Sequence, residues 1–173
     1  MFNRIGILIL LVISISCTSK KQQNKANTVD TTDMSSIKNY ADYTSLDERA
    51  SSKVKDWNEY QELEEFLQEF KSVSPTEALN NALELKRLTK QLKDSSDIDI
   101  MKLPAFKARI NVFENEVLRL ADMTYISAIK ANDVSAQIER TLALFGSVNS
   151  KLNNIYLKEQ FDAEINLDSL FKQ

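Results

Sequence analysis

From Ser45 onward, apolar residues recur at the three- and four-residue spacing of helices. Ser45 and Glu48 have the spacing of a capping box, and Tyr60, Leu63, Phe66, Leu67 and Phe70 fall on one arc of a helical wheel. Trp57 lies at the edge of that arc and Val54 off it, so the spacing predicts one helix from Ser45 to about Ser72. Ser74-Pro75-Thr76-Glu77 is a second capping box, with proline at the first helical position, where a missing N–H costs nothing. The helix that follows carries Ala78, Ala82, Leu85, Leu88 and Leu92 on one face and Leu79 and Leu83 on another, which predicts two packing neighbours. Asp94-Ser95-Ser96-Asp97 is a cluster of turn formers, and residues 94 to 103 read as a loop.

Leu103-Pro104 restarts the chain, because the residue before proline avoids helical geometry. Phe106, Ile110, Phe113, Val117, Leu120, Thr124 and Ser127 then alternate steps of four and three. Asn132-Asp133 reads as a break and cap, followed by Ile138, Thr141, Phe145, Val148, Leu152 and Ile155. Folding the chain back at Asn132-Asp133 pairs Ile110 with Ile155, Phe113 with Leu152, Val117 with Val148 and Leu120 with Phe145, every pair summing to 265. Thr124 and Thr141 would form a polar layer. This is the register of an antiparallel hairpin with heptad packing, with arms of about 27 residues, or ~40 Å. The expected fold is all-α, an elongated antiparallel bundle of four helices in two hairpins over residues 45–160, followed by a tail, 161–173.

The first 44 residues lack that period. Arg4 precedes an apolar run from Ile5 to Ile15, short of the ~20 residues that span a bilayer, so 1–16 reads as a secretory signal. Ile13-Ser14-Ile15-Ser16-Cys17 resembles the lipobox of bacterial lipoproteins. That resemblance implies cleavage after Ser16 and acylation of Cys17, with Ser14 standing where leucine is commonest. Residues 17–44 are polar, with scattered apolar residues, and read as a disordered tether. Thr18 stands where an inner-membrane retention signal would have aspartate, so the resemblance places the protein in the outer membrane, facing the periplasm.

Composition narrows the chemistry. The chain has no histidine and one cysteine, so catalytic triads and disulfide frameworks are excluded, as are the usual zinc sites. Its two glycines, Gly6 and Gly146, cannot build a phosphate loop; Gly146 reads as a close helix contact. Arg4 is the one charged residue before Cys17, so cleavage takes the net charge from −3 to −4, against a nucleic-acid partner. No metal or cofactor is expected. Glu62, Glu65 and Glu69 form a solvated row opposite the first apolar stripe, and Lys86, Lys90 and Lys93 suit a helix C-terminus and face the acidic first helix. Arg109, Glu116 and Arg119 flank the third helix, and Asn149, Asn153 and Asn154 lie along the fourth. Together with Lys86 they are the candidate lining of a polar groove, the alternative being ordinary flanks of a helical seam. The functional expectation is a membrane-anchored, non-enzymatic module that binds an envelope protein. A small-ligand or peptide sensor is the alternative, signalled by an open cleft larger than ~300 Å³ lined by Arg109, Glu116 or Lys86.

Overall fold

In the computed structural model, which describes residues 33–95 and 97–165, Asp47 rather than Ser45 starts the first helix. Its carboxylate accepts the Ala50 N–H at 2.8 Å, and the helix, α1 (Glu48–Val54), ends after seven residues. The chain bends and restarts as α2 (Asn58–Glu69), so the single helix expected over 45–72 is two. The bend brings Val54 and Trp57 inward, 1% and 3% exposed, although both sit poorly on the α2 stripe. Trp57 packs on Tyr60 and Phe106, and its indole N–H donates to Ser95 Oγ at 3.2 Å.

After α2 a two-residue strand, β2 (Ser72–Val73), pairs antiparallel with β1 (Lys38–Asn39). Helix α3 (Pro75–Asp94) begins as its capping sequence requires, with Ser74 Oγ accepting the Glu77 N–H. Ala78, Ala82, Leu85, Leu88 and Leu92 are buried, but the second face is not: Leu79 is half-buried and Leu83 is 51% exposed. The expected loop 94–103 contains a 3₁₀ turn, Asp99–Lys102, that buries Ile100 and Met101.

Helices α4 (Pro104–Met123) and α5 (Ala131–Glu164) form the expected antiparallel hairpin. Its turn is earlier than expected: α4 stops at Met123, Ser127 lies outside any helix, and Asn132 and Asp133 sit in the first turn of α5. The register moves with the turn. Phe113 packs against Phe145 with the rings tilted, at 5.5 Å between ring centroids, one heptad earlier along α5 than Leu152. Glu116 is reached from Gln137 at 2.9 Å and from Arg140 at 3.7 Å. Helix α5 also continues through Glu164, so 161–164 are helical rather than tail.

The largest correction concerns the tether. Residues 33–44 belong to the folded unit. Tyr40 and Tyr43 are buried, and the Tyr40 N–H donates to Lys71 O at 2.9 Å. This strap then crosses α5 at Gly146, where a Cβ would lie 2.9 Å from Thr44 N and 3.1 Å from Tyr43 Cβ. Gly146 thus admits an extended segment rather than a helix. Phe145 beside it meets Tyr43 edge-on at 5.1 Å, stacks on Tyr60 at 5.9 Å and touches Phe113, tying strap, α2 and α4 to α5. The architecture is all-α, with five α-helices among the described residues. Ser16 and Cys17, the remaining tether 17–32 and the tail 166–173 lie outside those residues.

Candidate functional site

Helices α3 and α4 lie side by side in opposite directions, and their seam carries lysines at one end. Steps of four and three place Lys86, Lys90 and Lys93 along one face of α3, and Lys107 comes from the first turns of α4. A hollow of about 350 Å³ is lined by Lys93, Asp94, Met101, Lys107, Ile110 and Asn111. A second, of about 210 Å³, lies between Lys86, Lys90, Glu114, Val117 and Leu118 and shares Lys93 and Asp94 with the first. A third, of about 320 Å³, extends the groove to Lys102.

The groove is only partly neutralised. Lys93 pairs with Glu114, Lys90 with Asp94 and Lys102 with Asp99. The bond that Lys90 donates to Asp94 raises its pKa, and the bond that Lys102 donates to Asp99 does the same, so both ammonium groups stay charged. Lys86 and Lys107 make no ion pair among the described residues. Ammonium groups on flexible stems beside the half-buried Leu118 suit a carboxylate-bearing partner with some apolar surface. The lysine row does not face the acidic α2 as expected. Arg87, bonded to Glu84, is the cation near Glu62, and Glu62, Glu65 and Glu69 remain exposed.

The residues proposed to line a polar groove are not brought together. Lys86 lines the α3–α4 groove, and Arg109 is exposed on α4 outside the three hollows. Glu116 is 14% exposed and bound within the α4–α5 hairpin, accepting from Gln137 and pairing with Arg119 at 3.6 Å. Asn149 is buried: its Oδ1 accepts the Tyr60 hydroxyl and its Nδ2 donates to Thr44 O, each at 2.9 Å. Asn153 accepts from Asp47 N and donates to Ser45 O, each at 3.0 Å. Both asparagines hold the strap, because an extended chain crossing a helix leaves peptide groups that need partners. The i, i+4 pair of amides next to an apolar stripe was the available signal.

Sequence reading missed a polar cluster beneath the strap. Burial pushes the half-buried Glu64 carboxyl up, against the opposing pull of Lys71 and a bond from Tyr60. Burial likewise pushes the Tyr43 and Tyr60 hydroxyls well up. Gln68 Nε2 donates to Tyr43 Oη at 2.6 Å, and Lys71 sits 4.4 Å over the Tyr43 ring while pairing with Asp42 at 2.9 Å. Tyr40 and Tyr43, three apart in an otherwise polar tract, were the visible clue. Hydrogen bonding is complete here, since no buried side-chain polar atom among the described residues lacks a partner.

Among the described residues no group of three or more acidic or cysteine side chains is arranged to hold a metal ion, and no helix is long and apolar enough to cross a membrane. No family model, curated protein or solved structure matches the chain.

Proposed function

We propose that the protein is an outer-membrane lipoprotein facing the periplasm, anchored through acylated Cys17, whose helical domain is a non-enzymatic interaction module for an acidic segment of another envelope protein. What supports the partner's chemistry is the α3–α4 groove, where Lys86, Lys90, Lys93 and Lys107 gather on a chain of net charge −3. The lipobox-like Ile13-Ser14-Ile15-Ser16-Cys17 supports the anchor, and an anchored domain would meet a neighbour at raised effective concentration and need only modest affinity.

Two experiments test this. Cys17→Ala should release the protein from the salt-washed membrane pellet; retention there refutes the anchor. A photo-crosslinking side chain at Lys86 or Lys107 should capture a discrete envelope protein, and Lys90→Glu with Lys93→Glu should abolish that capture while the circular dichroism is unchanged. Capture that survives both reversals refutes the acidic-partner reading.

A second reading has one observation in its favour. The 350 Å³ hollow at Lys93, Lys107 and Ile110 has the size of a small-ligand site. Neither Arg109, Glu116 nor Lys86 lines it, and the hollow that Lys86 does line is about 210 Å³. The larger hollow fits a small carboxylate ligand. Saturable binding of such a compound, lost in Lys107→Glu, would favour the sensor.

A further inference from the structure

Large apolar side chains are exposed at several places among the described residues: Leu83 on α3, Leu103 before α4, Val112 on α4, Leu157 and Phe161 late on α5, and the group Ile37, Tyr125 and Ile126. Among the described residues the two most exposed large hydrophobics are Tyr125, at 78%, and Ile37, at 69%; Ile126 is 51% exposed. Tyr125 and Ile126 occupy the turn between α4 and α5, and Ile37 precedes β1. All three belong to one end of the domain. Met34 O accepts from Thr76 N at 2.9 Å, tying the first described residues to the start of α3. Lys38 pairs with Glu139, and the Tyr40 hydroxyl bonds to Ser135 Oγ at 3.2 Å, tying β1 and its neighbour to the first turns of α5. The start of α3, the start of α5 and the end of α4 therefore share this end, and the described chain enters there at Asp33.

We propose that this end is a membrane-contacting tip, with Tyr125, Ile126 and Ile37 seated in the headgroup region of the lipid layer that holds the acyl groups. The inference rests on the lipoprotein reading. Folding of residues 33–44 shortens the link to Cys17 to sixteen residues, which reach at most about 55 Å even when extended, and the link joins the domain at this same end. A tyrosine ring with its hydroxyl suits the interface between apolar and wet layers. Three side chains would recruit a free domain only weakly. On a tethered one the local lipid concentration makes weak contact sufficient. The contact would hold the lysine end of the α3–α4 groove, at the opposite end of those helices, away from the bilayer and open to a partner.

The test uses the full chain purified from membranes and reconstituted in vesicles of phosphatidylethanolamine and phosphatidylglycerol. Acylation consumes the Cys17 thiol, so Ile126→Cys carries a polarity-sensitive dye at one position, and Asp99→Cys at the far end serves as the reference. Mass measurement of the N-terminal peptide reports the acyl groups independently. The dye at 126 should shift to the blue and be quenched several-fold more than the dye at 99 by lipids spin-labelled near the headgroup. In the Tyr125→Ser background carrying Ile37→Cys, the dye at 37 should be quenched less than with Tyr125 in place. An acylated chain with equal quenching at 126 and 99 overturns the tip while leaving the anchor standing. A blue shift at 126 that depends on protein concentration and ignores spin-labelled lipid assigns the surface to a second copy, and also overturns it. An unacylated chain removes the lipoprotein reading, and the tip falls with it.

Discussion

Replacing Gly146 with alanine sets local helix preference against tertiary packing. In an exposed helix the change stabilises by about 1 kcal/mol, because glycine loses more backbone entropy on folding. At this position the new methyl would sit 2.9 Å from Thr44 N, closer than real Cβ atoms approach a neighbour, and 3.1 Å from Tyr43 Cβ, tighter than most real Cβ contacts. The strap cannot yield freely. Asn149 and Asn153 hold Thr44, Ser45 and Asp47 by hydrogen bonds, and the Tyr43 ring stands edge-on to Phe145. Overpacking of this kind costs about 1–3 kcal/mol, and displacing Thr44 adds about 1 kcal/mol for the Asn149 bond. Subtracting the helix gain leaves a net loss of about 1–3 kcal/mol, or roughly 3–10 °C in melting temperature for a domain of this size. Thermal and urea unfolding of Gly146→Ala measure it. In an Asn149→Ala background, where the strap is less firmly held, the same substitution should cost less. If Gly146→Ala raises the melting temperature in the parent, the close crossing is not what makes this residue glycine.

The α4–α5 register can be checked in protein lacking Cys17: Val117→Cys with Thr141→Cys should oxidise to an intramolecular disulfide, and Val117→Cys with Val148→Cys should not, because one heptad moves the partner by ~10 Å. Formation of the second bridge alone would restore the pairing expected from sequence. The Glu64 carboxyl is pushed up mainly by burial, so the folded state holds its proton at pH values where the unfolded chain has lost it. Its charge therefore opposes folding as pH rises through the folded pKa, and that penalty is absent below the unfolded value. Glu64→Gln should accordingly stabilise the protein more at pH 7 than at pH 4, as read from paired melting curves; equal effects at both would contradict a raised pKa. Single alanine substitutions at Glu62, Glu65 and Glu69 should shift stability by less than about 0.5 kcal/mol, since exposed charges contribute little individually; loss of the folded state in any one by circular dichroism would refute the solvated-face reading.

The all-α class was legible from the chain because apolar spacing and caps act over three or four residues. Ser74-Pro75 starts α3, Leu103-Pro104 starts α4, and Phe106, Ile110, Phe113, Val117 and Leu120 are all buried as their period demands. The sequence left the pairing of α4 with α5 ambiguous, since a heptad pattern matches itself after a shift of seven. The turn at 124–130, which carries no strong breaker, chose the register that sets Phe113 on Phe145. The strap was hidden for a related reason. Tyr40 and Tyr43 lie in a polar tract, and their burial depends on Gly146, Asn149 and Gln68, far away in the chain. The candidate groove was half visible: the lysines of α3 share a face by their spacing alone. That Glu114 and Lys107, rather than the acidic row of α2, stand opposite them was decided by which helices pack together, because charge patterns on one helix do not name the neighbour.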